Sequence, residues 1–170
     1  MKYLYLFIFS VSFISPLLAQ TETPAEVTTY YFIRHAEKDR SDSANQDPHL
    51  TEIGKMRAEN WSSIFNNITF NAIYSTNYNR TKETAEPTAI KNKLELFIYN
   101  SKTIDLTKFL EETKGKTVLI VGHSNTTPAF VNAIIGKKEH LQIDDSDNGK
   151  LFIVTVDEGV ASLIIEDHNE

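Results

Sequence analysis

Cysteine is absent from this chain of 170 residues, which excludes disulfides and thiol chemistry and leaves cysteine usage silent about redox compartment. Clusters of positive charge are missing too. The chain carries 17 Lys and Arg against 23 Asp and Glu, a net charge of −6, and shows no basic patch, which argues against nucleic acid as a partner. It also lacks internal repeats and low-complexity segments. What is present is ordinary for a globular protein: 41% apolar and 24% charged residues, enough for one domain with a full core.

One long apolar run exists, Tyr3 to Leu18, preceded by Lys2 and followed by Leu17-Leu18-Ala19-Gln20 and the polar Thr21-Glu22-Thr23-Pro24. A short positive start, an apolar stretch and a small residue at a cleavage point form the order of a secretory signal peptide. Residues 1–20 are therefore read as the signal and 21–170 as the domain. The expected location is secreted or periplasmic, with no stable membrane insertion after signal removal. No cysteine follows the cleavage point to carry a thioether-linked lipid. A retained anchor is the competing reading, at a length marginal for spanning a bilayer.

The domain is organised around Tyr30–Lys38. Val27 to Ile33 is β-branched and aromatic, as a buried strand should be, and it stops abruptly at Arg34-His35. Glu37 to His49 is polar and reads as a surface loop. Thr51 caps a predicted helix to about Phe65, with Gly54, Ala58, Trp61 and Phe65 on one face. Gly54 is expected to permit close approach to a sheet. Phe70–Tyr74 reads as a second strand, Ser75–Asn79 as a turn, and Arg80–Ala89 as a helix that Pro87 should kink or restart. Leu94–Tyr99 reads as a third strand and Leu106–Thr113 as a short helix, with Asp105 as its cap. Thr117–Val121 has no polar alternation after Thr117, which suits a central parallel strand. Gly122-His123-Ser124-Asn125 follows, then a helix from Thr126 to Ile135 that Gly136 ends. Leu151–Val156 and Val160–Ile165 read as a hairpin with a three-residue loop.

This alternation predicts an α/β fold with helices on both faces of a mostly parallel sheet and an antiparallel C-terminal edge hairpin. Parallel strands share one carboxyl edge. His35 and His123 should face each other there if their strands are neighbours where the strand order reverses. Arg34 lies on that edge, as does Arg80 at a helix start. Ser124, Asn125 and Thr126 add free N–H groups at another helix start. Two arginines, two histidines and a helix N-terminus favour a dianion such as phosphate. Mixing arginine with histidine disfavours a metal, so none is expected. His49, His140 and His168 read as surface residues.

Several of these segments resemble one family. Ile33-Arg34-His35-Ala36-Glu37 is similar to the Arg-His-Gly signature of the histidine phosphatase superfamily, phosphoglycerate-mutase-like branch. Asp47-Pro48-His49-Leu50-Thr51 with Gly54 resembles that branch's Asp-x-x-Leu-Thr-x-x-Gly. Tyr74-Ser75, Arg80-Thr81 and Thr84-Ala85 resemble its Ser…Arg…Thr-Ala segment, and Val121–Asn125 its Gly-His-Gly/Ser-Asn turn. The matches run in the family's order over Tyr30 to Ala133. The resemblance implies a three-layer α/β/α sandwich and no cofactor. It makes His35 the nucleophile that becomes a phosphohistidine. It assigns Arg34, Arg80 and His123 to the phosphoryl oxygens, with Asn125 beside them, and a small phosphorylated substrate as partner. Ala36 stands where the family has Gly. The chain lacks the long insertions of the mutases and is nearer in size to the phosphohistidine phosphatases. The mutases' acid segment is replaced by Tyr99–Asp105, so the proton donor is unassigned, with Glu37 as the favoured candidate and Asp105, also read as a helix cap, as the other. Two alternatives remain: a non-catalytic phosphate-binding domain, and a serine hydrolase using Ser124 on a nucleophile elbow with Asp145 and His168.

Overall fold

The computed structural model describes residues 26–139 and 142–169. The signal segment read at residues 1–20, and His140, lie outside the described residues. Strands β1 (Thr28–Arg34), β2 (Ala72–Thr76), β3 (Leu96–Tyr99), β4 (Thr117–Gly122), β5 (Lys150–Asp157) and β6 (Val160–Asp167) form one sheet in the order β3-β2-β4-β1-β5-β6. The first four run parallel. β5 is antiparallel to both β1 and β6, so the C-terminal hairpin forms the edge as expected.

Helices α1 (Glu52–Ile64), α2 (Asn79–Asn92), α3 (Leu106–Glu112) and α4 (Thr126–Ile135) complete a three-layer α/β/α sandwich. Period-two alternation divides each central strand between the layers. Ile33, Leu119 and Val121 pack with Trp61 of α1, with Phe65 at its C-cap, and with Ala85 and Ala89 of α2. Tyr30, Phe32, Val118 and Ile120 pack with Phe109 of α3 and with Phe130 and Val131 of α4. A strand buried on both faces needs this continuous apolar run, and β4 supplies it.

Several boundaries differ from the sequence expectation. β2 starts at Ala72 because the Phe70 N–H is taken by the Asn92 side chain at 3.0 Å. It continues to Thr76, which pairs with Tyr99. β3 starts at Leu96 because α2 extends to Asn92 and is closed by Lys93 in the left-handed region, φ 56°. Pro87 does not break α2. Ala85, Thr88 and Ala89 lie buried on one face across it, so packing against α1 and the sheet outweighs the one hydrogen bond that proline removes. The hairpin loop has two residues, since Asp157 pairs with Val160. Glu158 and Gly159 both have positive φ, 48° and 80°, the backbone whose twist matches that of the flanking strands.

Gly54 also does something different from the expectation. It approaches the loop after β1, not the sheet, and a Cβ there would stand 2.2 Å from the Glu37 carbonyl oxygen. Neighbouring Thr51 accepts the Gly54 N–H and donates to the same carbonyl. Gly54→Ala should therefore destabilise the fold by about 1–3 kcal/mol. Denaturant midpoints would show it, and an unchanged midpoint would mean that the loop yields freely.

Candidate active site

The carboxyl edge of β1 and β4 is a switch point. From β1 the chain crosses over β4 to reach β2, whereas from β4 it passes β1 on the other side to reach β5. Arg34 pairs in register with Gly122, so the two strands release His35 and His123 at the same height. The His35 and His123 rings lie 5.3 Å apart at 72°.

The His35 backbone is held on both sides: its N–H donates to the Gly122 carbonyl at 3.0 Å, and its carbonyl accepts from Asn148 Nδ2 at 2.7 Å. Its Nδ1 lies 2.7 Å from the Ala36 carbonyl. A carbonyl only accepts, so Nδ1 carries the proton and Nε2 keeps its lone pair. Burial pulls the imidazole down to about 3, with the charges of Arg34, His123 and Arg80 adding to the shift against the Ala36 bond. His123 falls to about 4, again mainly by burial and then by the charges of Arg80, Lys38 and Arg34. Both rings are neutral at physiological pH.

Arg80 opens α2 and donates from Nη2 to His123 Nε2 at 2.9 Å. Its guanidinium lies 4.4 Å from the Tyr78 ring centroid, and that ring meets His123 edge-on at 5.0 Å. Arg80 Nε and Nη1 are buried with no hydrogen-bond partner. Unpaired buried N–H groups of a cation are costly unless an anion arrives. Asp47 accepts the Asn79 N–H at 2.8 Å and stands 3.6 Å from Arg80 Nη1, so it fixes the start of α2 from the loop after β1. Thr84 joins the same scaffold: its hydroxyl donates to the Arg80 carbonyl and accepts the Ala36 N–H.

Arg34 is fully buried, 1% exposed. Its Nη1 donates to the carbonyls of Asp144 and Asp147 at 2.8 and 3.1 Å, and its Nη2 to the Asp145 carboxylate at 2.6 Å. Asn125 occupies the N-cap position of α4 without a side-chain capping bond and lines, with Tyr78, Arg80, Tyr99, Lys102 and His123, a cavity of about 700 Å³. A second cavity, of about 730 Å³, is also lined by Asn125, together with Pro128, Asn132, Gln142, Asp145 and Asp147.

Of the sequence candidates, the structure brings His35, Arg80 and His123 together, with Arg34 and Asn125 alongside. Glu37 is placed elsewhere. Its carboxylate accepts from Arg57 Nε on α1 at 2.7 Å, not from Lys38 or Arg40, and Arg57 in turn donates to the His168 carbonyl. Asp105 caps α3, accepting from the Lys108 N–H. The serine-hydrolase alternative does not assemble. Asp145 is held by Arg34 and Arg40, whereas His168 packs on Trp61 and pairs with Glu166. His49, read as a plain surface residue, pairs with Glu83. Sequence reasoning missed Asn148 and Tyr78. Asn148 lies 113 residues from the carbonyl it holds, and no local pattern marks it. Tyr78 stood next to Arg80, where an aromatic beside a cation was a readable signal.

The two depressed imidazoles make stability pH-dependent. Each is neutral when folded and has an ordinary value near 6.5 when unfolded. The unfolded chain therefore binds more protons below that value, and stability falls as pH drops from about 6.5 towards 4 and then 3. Acidification from pH 7.5 to 5 should lower the thermal midpoint of wild type more than that of His35→Asn. Equal losses would mean that His35 titrates alike in both states.

The fold and the edge define an α/β sandwich with paired neutral histidines and two buried guanidinium groups at its strand-order switch point. The family model of the histidine phosphatase superfamily (branch 1) matches residues 30–100, which span β1 through β3 and include His35 and Arg80. Over this stretch the chain resembles that superfamily. The sandwich is shared with the protein histidine phosphatase SixA complexed with tungstate, at 15% identity and TM-score 0.67, covering 82% of this chain and 96% of that one. YhfR from Bacillus stearothermophilus superposes with TM-score 0.66 at 20% identity, over 82% and 96% of the chains. A phosphoserine phosphatase from Entamoeba histolytica in complex with 3-phosphoglyceric acid gives TM-score 0.65 at 16% identity, over 84% and 98%. No curated protein matches the chain by sequence.

Proposed function

We propose that this protein is an exported phosphomonoesterase that works through a phosphohistidine on His35 without a metal. The observation that carries this reading is the His35 tautomer: Nδ1 is committed to the Ala36 carbonyl, so a neutral Nε2 is available beside two cations. The phosphohistidine phosphatase SixA and the phosphoserine phosphatase sharing the fold are consistent with a small phosphorylated substrate.

In this mechanism His35 Nε2 attacks phosphorus and the P–O ester bond breaks, releasing the alcohol as its oxyanion or with a proton from water. Water then cleaves the P–N bond, giving inorganic phosphate and neutral His35. Phosphoryl transfer is mostly positioning and charge stabilisation. Arg80 Nε and Nη1, the free Arg34 N–H groups, His123 and the N–H groups at the α4 start supply that charge. The cavity lined by Tyr78, Tyr99 and Lys102 takes the leaving group. Because the Glu37 carboxylate is committed to Arg57, aryl phosphates should turn over far faster than alkyl phosphates.

The test is a screen of small phosphomonoesters and phosphohistidine with residues 21–170. Turnover that vanadate inhibits competitively supports the reading. A folded protein that binds phosphate yet hydrolyses nothing overturns it in favour of a non-catalytic anion-binding domain. For export, the mature chain should begin near Gln20 or Thr21 in the periplasm or medium by mass spectrometry. A membrane-bound product retaining Met1–Leu18 would show an anchor instead.

A further inference from the structure

One buried hydroxyl at the site is left over. Tyr99 ends β3, is 8% exposed and packs its ring on Phe130 with centroids 5.8 Å apart. Burial alone pushes its phenol up, with no hydrogen bond acting against it. The other buried tyrosine, Tyr30, shares a 2.7 Å hydrogen bond with the Thr113 hydroxyl. A tyrosine hydroxyl at this depth ordinarily finds such a partner, because leaving the bond unmade costs stability. Among the described residues the Tyr99 hydroxyl has none.

A glycine sets its place. A Cβ on Gly122 would stand 3.1 Å from the Tyr99 oxygen, so the bare backbone there makes room for the phenol to reach from β3 past β2 to β4. Gly122 directly precedes His123. Thr126 Oγ1, 3.2 Å from the same point, accepts the His123 N–H. Tyr99, Arg80, His123 and Thr126 line one cavity. The unpaired donor therefore ends beside His123, at the wall of the cavity that takes the leaving group.

The charges at the site show what such a donor is suited to. The phosphoryl oxygens are anionic throughout, and the cations Arg34 and Arg80 match them. The ester oxygen carries little charge in the substrate and gains a full one as the alcohol leaves. A neutral donor suits that oxygen, because its bond strengthens only as charge develops. Neither carboxylate read as an acid from the sequence competes for the role. Glu37 is held by Arg57, and Asp105 caps α3.

Building on the phosphatase reading, we propose that Tyr99 is a catalytic residue whose hydroxyl donates a hydrogen bond to the ester oxygen of the leaving group. As the bond from His35 Nε2 to phosphorus forms, the P–O bond breaks and its electron pair stays on the leaving oxygen. Tyr99 donates to that oxygen and keeps its own proton. The proton that neutralises the released oxyanion comes from water.

The experiment measures kcat/KM of wild type and Tyr99→Phe for phenyl phosphate and 4-nitrophenyl phosphate, whose leaving groups differ in basicity. Phenyl phosphate should lose roughly a hundred-fold, as for removal of one donor to developing charge. 4-Nitrophenyl phosphate should lose several-fold less, because the nitro group spreads that charge. The thermal midpoint should not fall, since the substitution removes an unpaired buried hydroxyl. Equal losses on the two esters, or no loss on either, overturn the proposal. A midpoint lowered by several degrees overturns it too, because the hydroxyl would then have a structural partner. Absence of turnover of both esters by wild type is a failure of the phosphatase reading alone. Calorimetric titration, which needs no turnover, then decides the place of Tyr99. It compares inorganic phosphate with methylphosphonate, in which a methyl group replaces the fourth oxygen. Wild type should prefer phosphate, and Tyr99→Phe should narrow that preference roughly ten-fold, as for one hydrogen bond to a charged group. A preference absent in wild type, or unchanged in Tyr99→Phe, overturns the proposal.

Discussion

His35→Ala is expected to lower turnover of an aryl phosphate by roughly four powers of ten or more, because no covalent intermediate can form without the nucleophile. The structure gives a specific reason to choose His35 over His123. His35 Nδ1 is engaged with the Ala36 carbonyl and leaves Nε2 free, whereas His123 Nε2 already accepts from Arg80. A fast-reacting phosphodonor should therefore label one histidine, and the label should be acid-labile and alkali-stable. The buried substitution removes ring volume next to His123, so folding is checked by circular dichroism, and His35→Asn serves as the milder variant. A label that persists in His35→Ala and disappears in His123→Ala would reverse the two roles.

Arg80→Ala is expected to cost two to three powers of ten in turnover, about 3–4 kcal/mol of transition-state charge stabilisation. The unpartnered Arg80 Nε and Nη1 are the groups that would meet the equatorial oxygens. Arg80→Lys should recover little. A lysine supplies one point charge, but it cannot reach His123 and the phosphoryl group together from a planar fork, nor lie flat near Tyr78. The loss should appear in kcat more than in KM if these bonds strengthen as charge develops. The fold should survive, since the start of α2 is also held by the Asp47 bond to the Asn79 N–H. A fully active Arg80→Ala enzyme would remove Arg80 from the site.

The motif segments have readable physical reasons once placed. Asp47 receives the first N–H of α2, and Leu50 is buried with Ala36 and Ala58. Thr51 caps α1, and Gly54 admits the Glu37 carbonyl. These residues anchor the loop that follows the nucleophile. Their spacing is legible because each acts within one loop and one helix turn. Glu37 shows the opposite case. Its sequence neighbours His35 and Lys38 suggested either an acid at the phosphate or a surface pair, yet its partner is Arg57 on α1, reached only when the loop folds back.

From the sequence alone came the elements, the α/β class and the edge that carries His35, His123 and Arg80. Periodicity and strand ends are local properties, and parallel crossovers send all carboxyl ends to one side. Which strands are neighbours was a tertiary matter. β1 and β4 meet although 82 residues lie between Arg34 and Thr117, because only burial on both faces selects that pairing. The same holds for Asn148 on the His35 carbonyl and for Asp145 between Arg34 and Arg40. Those contacts join loops more than 100 residues apart, and hydrogen bonds of that range leave no period or spacing in a chain. Side-chain identity determined which chemistry was available at the edge; the packing of the two loops over it determined which donors remain free to do it.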